Sequence, residues 1–381
     1  MSVKNKTSKL SYIKKNKKGI SFYNKVLVLI IGIMVLSIFS YPVMSQPEEE
    51  YYRGVIISVN NEKGEGHLYE SVEQEVVAEI SNGPYKDQLI NLKNVYVKNR
   101  EHLNILLKEG MQVIIGADHQ DGNVEFFLQD AARDRGLLYI TIAFMLLLLL
   151  IGGFKGFKTL ISLLFTAFII VKVIFPLLLK GYSPILVTVI SAIIIIVFVL
   201  LLIGGLNNKS LAAIIGTSTG VLVAGILAFI LGKISHLTGF SSNEAQILLS
   251  GNFNINIRGL LFSGIIIGSL GAITDVAMSI ASSAAQIKEA NPLIGSKDLM
   301  ISAFNVGRDI MGTMSNTLIL AYVGGSMHLL LALMRFQINW LRIINMDMIA
   351  TEVVRGLAGS IGLIISIPVT AFISAELIAD R

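Results

Sequence analysis

The chain contains no cysteine. Disulfides, thiolate metal sites, iron–sulfur clusters and a cysteine nucleophile are therefore excluded, and any outward-facing domain has to be stable on its core alone. Charge is scarce as well: Asp, Glu, Lys and Arg make up 15% of the 381 residues, where an ordinary soluble domain holds about 25%. Hydrophobic residues reach 53% and mean hydropathy is +0.69. With apolar runs of membrane-spanning length, that balance excludes a soluble enzyme and a disordered chain. Catalytic signatures are missing too. There is no Walker A loop, no His-Glu-x-x-His, no nucleophile elbow and no EF-hand loop. The five histidines (His67, His102, His119, His236, His328) are scattered. The expectation is a protein that is not an enzyme, has no ATPase of its own, and uses no metal or other cofactor.

What charge there is lies unevenly. Residues 1–25 carry eight lysines and no acid. Residues 45–136 carry 17 acidic against nine basic residues, a net −8, and residues 137–381 carry 14 basic against nine acidic, a net +5. The pI near 9.2 thus marks no nucleic-acid-binding protein. The lysine tail reads instead as an orientation signal in contact with lipid headgroups.

An apolar run, Val26–Met44, follows the tail. It is longer than a usual signal-peptide core, which favours an uncleaved anchor, although Val43-Met44-Ser45 offers a passable cleavage site. On either reading the lysines stay in the cytoplasm and residue 45 onward emerges outside. Residues 45–136 then alternate in hydropathy. Tyr52–Asn60, Val72–Ile80, Gln88–Val97, Met111–Gly116 and Val124–Gln129 are predicted strands, divided by turn signals such as Asn82-Gly83-Pro84 and Asp121-Gly122. Five short strands in about ninety residues predict a small barrel of the OB or SH3-like type. It lacks the basic and aromatic surface of nucleic-acid barrels, so its expected roles are shielding, gating, docking of a protein partner, or simple spacing.

From Leu137 the chain becomes membrane. The predicted spans are Leu137–Gly153, Thr159–Leu179, Pro184–Gly205, Leu211–Leu231, Leu260–Ala281, Ile310–Leu330 and Leu357–Ala375. With Val26–Met44 they make eight, each long enough for the ~30 Å hydrocarbon core, and an even number places both termini in the cytoplasm. Gly232–Arg258 and Phe336–Arg355 fit no simple span. They are expected to be interfacial helices at the outer surface, or re-entrant segments. Pro176 predicts a kink, and Gly216-x-x-x-Gly220 a close helix contact.

The chemically informative residues are ionisable groups among apolar ones. Asp275, Ser279 and Ser282 or Ser283 share one helical face. A carboxylate in a span costs ~2.5–3.5 kcal/mol on insertion scales, so it normally meets a partner or water. Asp309, Thr313 and Asn316 stand at i, i+4 and i+7, hence on one side of a helix, with Arg308 about 100° around it. In the eight-span arrangement Asp275 and Arg308 come within reach of each other near the inner face. The expectation is either a polar pathway lined by these residues or an ion pair that only fixes packing. Glu352 and Arg355, beside Thr351 at the outer mouth, form a further candidate pair along one helix face.

The stretches Gly271-Ala272-Ile273-Thr274-Asp275-Val276-Ala277-Met278-Ser279-Ile280-Ala281-Ser282-Ser283 and Gly307-Arg308-Asp309-Ile310-Met311-Gly312-Thr313-Met314-Ser315-Asn316-Thr317-Leu318-Ile319-Leu320-Ala321-Tyr322 resemble the YibE/F family of bacterial multi-pass membrane proteins. The likeness runs from about Tyr52 to Glu376. It implies location in the cell membrane and an outer module followed by a helical block, but no named substrate. The functional expectation is a transporter or channel-like protein of the bacterial inner membrane for an unidentified solute or ion, possible proton coupling included. The alternative is a non-transporting receptor or assembly platform whose outer domain binds a partner. The lipid bilayer is the one certain partner, nucleic acid is not expected, and an oligomer is open.

Overall fold

The computed structural model describes residues 49–63, 71–97, 105–120, 123–241, 243–250, 255–336 and 338–379. The predicted anchor Val26–Met44 and the Asp121-Gly122 turn lie outside them. The described chain forms two compact units, one running to Leu150 and one from Ile151 onward.

The first unit is a five-stranded antiparallel sheet: β1 (Glu49–Lys63), β2 (Ser71–Ile80), β3 (Leu89–Val97), β4 (Gln112–Gln120) and β5 (Asn123–Ala131), in the order β3-β2-β1-β4-β5. All five predicted strands are present. β1 is long enough to serve two neighbours, pairing through Glu49–Val55 with β4 and through Gly54–Lys63 with β2. A register shift between Ile56 and Ser58 bends it where the duties change, as an extra residue in one strand does. β3 approaches β5, so the sheet is nearly closed and barrel-like. Alternation follows from closure: Ile90, Leu92, Asn94 and Tyr96 point inward along β3 while their neighbours point out. Tyr52, Ile56, Val76, Ala78, Ile80, Val113 and Ile115 fill the core.

Two of the inward residues are polar, and they tie down a loop. Gln74 Nε2 donates to Asn61 Oδ1 (2.8 Å) and to the Leu107 carbonyl (3.1 Å), while Gln74 Oε1 accepts from Asn94 Nδ2 (2.8 Å) and from Leu107 N (2.9 Å). Asn94 Nδ2 also reaches the Ile105 carbonyl at 2.9 Å. Leu107 is thereby seated in the core at 3% exposure. At the β2–β3 turn Gly83 adopts φ +81° and lies flat on the Tyr52 ring, where a Cβ would come within 2.4 Å. Only glycine meets both demands without strain.

The second unit is helical. Among the described residues ten helices follow the barrel, the first of them beginning within the first unit: α1 (Asp134–Ile169), α2 (Phe175–Leu179), α3 (Pro184–Gly204), α4 (Asn208–Ile234), α5 (Asn243–Ser250), α6 (Ile257–Ala290), α7 (Ser296–Gly325), α8 (Met327–Arg335), α9 (Trp340–Ile344) and α10 (Asp347–Ala379). Five helical runs among the described residues are long and apolar enough to cross a membrane, or six when α7 and α8, bent by 60° at Ser326, are taken as one. The helical run Asp134–Leu179 is 46 residues long, at ~1.5 Å per residue more than twice the hydrocarbon thickness, and it is two helices joined across a kink, in keeping with the separate spans Leu137–Gly153 and Thr159–Leu179. Its break is Gly153, with φ +51° and ψ −127°, where the first of those predicted spans ends. Ile310–Leu330 is no straight span, because it crosses the bend at Ser326. Phe336–Arg355 is divided: Trp340–Ile344 is a short helix of its own, while the last helix begins at Asp347, so Thr351, Glu352 and Arg355 stand in its opening turns.

A π turn, Ile170–Ile174, precedes Pro176. It accommodates a ring that cannot donate a backbone hydrogen bond. The centre of the unit is α4 crossing α10. A Cβ on Gly216 would come within 1.9 Å of Thr370 Oγ1, and one on Gly220 within 2.8 Å of the Gly362 carbonyl. As α4 numbers rise the α10 numbers fall, so the two helices are antiparallel, and the predicted Gly216–Gly220 contact is present. α6 packs against both helices and α7 runs back along α6 and α10. Many large apolar side chains stay exposed, among them Leu147, Leu150, Ile151, Leu186, Ile190 and Ile226. Exposed apolar surface of this extent belongs against lipid rather than water.

Candidate functional site

The strongest constellation is built where α7 breaks. The run Gly324-Gly325-Ser326 ends α7, and α8 leaves at 60°. Two glycines without side chains to pack weaken the helix there. One turn earlier, Tyr322 lies between α6 and α10. A Cβ on Gly268 would stand 2.8 Å from its hydroxyl, and a Cβ on Gly356 or Gly359 of α10 would stand 3.9 Å from the side chain. These glycines make the slot that a phenol ring occupies.

Across the slot from α10 comes an ion pair. Arg355 Nη1 lies 2.8 Å from Glu352 Oε1, with the two side chains 30% and 24% exposed. The guanidinium also stands 6.0 Å from the centre of the Tyr322 ring, within cation–π range. Three polar atoms here are buried and lack a hydrogen-bond partner among the described residues: Tyr322 Oη, Arg355 Nε and Thr351 Oγ1. Buried polar groups are normally paired, so this cluster has binding capacity to spare.

Two cavities meet at Glu352. The first, about 270 Å³, is almost wholly apolar, walled by Ile319, Val323, Leu330, Val353 and Leu357. The second, about 330 Å³, is more polar and takes in Ser241, Glu244, Gly264 and Arg355. Ser326 and Glu352 line both. The arrangement offers a charged, hydrogen-bonding partition between an apolar and a polar chamber. Among the described residues no three His, Asp or Glu side chains gather as a metal-ligand set.

The residues singled out on α6 and α7 lie elsewhere. Asp275, Ser279, Arg308, Asp309, Thr313 and Asn316 are all exposed at the surface of the helical unit. Asp309, Thr313 and Asn316 do share one side of α7. The expected pairing of Asp275 with Arg308 is a correction: the four ion pairs found among the described residues do not include it. The reason is register. Gly307 packs on Ile280, so Arg308 stands more than a helical turn from the level of Asp275. Ser282 borders a third cavity of about 590 Å³ at the opposite end of the unit, with Asn207, Lys209, Gln286 and Lys288. There Lys288 Nζ donates to the Ala379 carbonyl at 2.9 Å and Asn208 Nδ2 to that of Leu377, closing the end of α10.

Tyr322 and Ser326 were not among the sequence candidates. The signal for Ser326 was available, since Gly324-Gly325 interrupts an apolar run. Tyr322 carried no such mark, because its place depends on glycines of two other helices.

No curated protein and no solved structure matches the chain. The family model described as YibE/F-like protein matches residues 140–380, which takes in the helical block from the first turns of α1 onward and both stretches that carried the resemblance, and leaves the barrel outside it. The chain therefore belongs to the YibE/F-like family.

Proposed function

We propose that this chain is a transporter or channel-like protein of the bacterial cytoplasmic membrane, moving a small solute or ion past the Glu352–Arg355 pair. One observation carries the reading: a largely buried ion pair stands at a broken helix and borders two cavities within a membrane unit. Charged side chains are kept in such surroundings mainly along solute or proton routes. Interrupted helices are the usual frame of transporter sites because they free backbone groups at depth. Glu352 is the acceptor on this route and Arg355 holds it in place. Tyr322 and Ser326 supply hydrogen bonds as the pair opens. The barrel stands outside the cell and both termini inside, a placement supported by the eight lysines before residue 26. The neighbour order β3-β2-β1-β4-β5, with β3 returning to β5, favours an OB-like over an SH3-like barrel.

The test is flux through liposomes holding the purified full chain. Entrapped pyranine reports protons, and light scattering reports shrinkage and recovery with salts and small neutral solutes. Wild-type protein is expected to move at least one of these, and Glu352→Gln or Arg355→Gln to slow it tenfold or more. Gly271→Ala, where an added methyl meets nothing within 4 Å, should leave the rate alone. A wild-type chain that moves none of them, or Glu352→Gln and Arg355→Gln variants as fast as wild type, would defeat the reading.

A further inference from the structure

The side of α7 turned away from the bundle is polar where a lipid-facing helix should be apolar. α7 buries Leu299, Ala303, Gly307 and Leu318. Asn305, Asp309, Gly312 and Asn316 are all exposed, and they succeed one another at steps of 4, 3 and 4. That alternation keeps a seam straight along a helix that packs on another helix. A lone charge or amide on such a seam has to meet a polar group or water.

The residues themselves specify what they meet. Arg308 and Asp309 are neighbours, so they lie at nearly one depth, ~1.5 Å apart along the axis. They point about 100° apart and cannot pair on their own helix. Two copies of a membrane chain share one orientation, and a two-fold axis along the membrane normal brings equal depths together. Each guanidinium then reaches the carboxylate of the other copy. Asn305 and Asn316 meet their own counterparts, which suits an amide because it both donates and accepts. At Gly312 an added Cβ would meet nothing within 4 Å, leaving the backbone open to close approach. The apolar segment Val26–Met44 is a poorer occupant, having no charged residue to offer.

We propose that the chain forms a two-fold homodimer along this α7 seam, Arg308 of each copy pairing with Asp309 of the other. The native chain has no cysteine, so introduced thiols report cleanly. In native membranes under mild oxidation, Asn316→Cys and Gly312→Cys are expected to give mostly disulfide-linked dimer. Ile226→Cys, 56% exposed on α4, is expected to stay monomeric. By light scattering in detergent, Arg308→Asp alone should raise the dimer dissociation constant at least tenfold. Adding Asp309→Arg in the same chain should restore it. The proposal is overturned if neither seam cysteine cross-links, or if Ile226→Cys cross-links as well as they do. It is equally overturned if Asn316→Cys joins a cysteine placed in residues 26–44, or is labelled by a water-soluble maleimide without dimerising.

Discussion

A single methyl group at the α4–α10 crossing tests the packing on which the cavities depend. In Gly362→Ala the new Cβ would sit 2.6 Å from the Gly220 carbonyl oxygen and 2.7 Å from Ala224 Cβ. Both obstacles are backbone or a residue's first carbon, so neither can rotate away. The helices must part by roughly 0.7–1 Å, which forfeits dispersion contacts along the crossing and the close Cα–H···O approach of Gly220 to Gly362, about 0.5–1 kcal/mol for each such contact. Overpacking of this kind costs ~1–3 kcal/mol. Removing a mid-helix glycine returns up to ~1 kcal/mol. The control is Gly271→Ala, the same chemical change on α6 with no atom within 4 Å, which retains only the gain. That gain is common to both, so the two variants should differ by the overpacking itself, ~1–3 kcal/mol, about five- to 150-fold in the unfolding equilibrium. SDS titration of the purified chain in mixed micelles, followed by far-UV circular dichroism, measures the difference. Equal midpoints for the two variants would refute the crossing as drawn.

Three further outcomes follow from other parts of the molecule. Tyr52 is buried in the barrel and donates to the Glu50 carboxylate; burial first, then that neighbour, push its pKa up to about 12. Between pH 10 and 12 the folded barrel keeps a proton that the unfolded chain has lost, so stability present below pH 10 drains away as pH rises through this window. The loss is at most roughly 2 kcal/mol, reduced because Glu50 is half exposed and screened, and Tyr52→Phe should flatten the denaturant midpoint between pH 9 and 11.5. Gln74→Leu should destabilise the barrel by ~2–4 kcal/mol, since it strands both backbone groups of Leu107 and removes one of the two acceptors of Asn94 Nδ2. Proteolysis near residue 105 is the readout, and cleavage no faster than in wild type would refute that role. Gly268→Val, which closes the slot against the Tyr322 hydroxyl, should slow flux as much as Glu352→Gln while α4–α10 stability stays close to wild type. Unchanged flux would separate Tyr322 from the route.

The barrel was legible because its information is local. Period-two alternation and the Asn82-Gly83-Pro84 turn act over a few residues, so every strand fell within a few positions of its prediction. The apolar runs of α3, α4, α6 and α10 were legible for the same reason, since transfer of a segment into lipid depends on its own composition. Gly216 and Gly220 announced a close contact, though not that Gly362 and Thr370 would supply the other side. The breaks were harder. Gly153 could be seen as the end of a span, whereas the bend at Ser326 falls inside a predicted one. Asp347 begins a helix that composition alone would start ten residues later, because its first turns gain their stability from packing against neighbours.

Which polar residues meet is a separate matter. Sequence alone determined that this chain is a small acidic barrel joined to a lipid-embedded helical block, because hydropathy and alternation are properties of each segment by itself. It also nominated Asp275, Arg308, Glu352 and Arg355, because charge among apolar residues is visible in a list. Glu352 and Arg355 pair within one helix, as their spacing predicts; only the tertiary structure decided that this pair stands at Tyr322 beside a broken helix while Asp275 and Arg308 stay apart. Contact between helices is set by their rotation and axial register, and here glycines distant in sequence fix both.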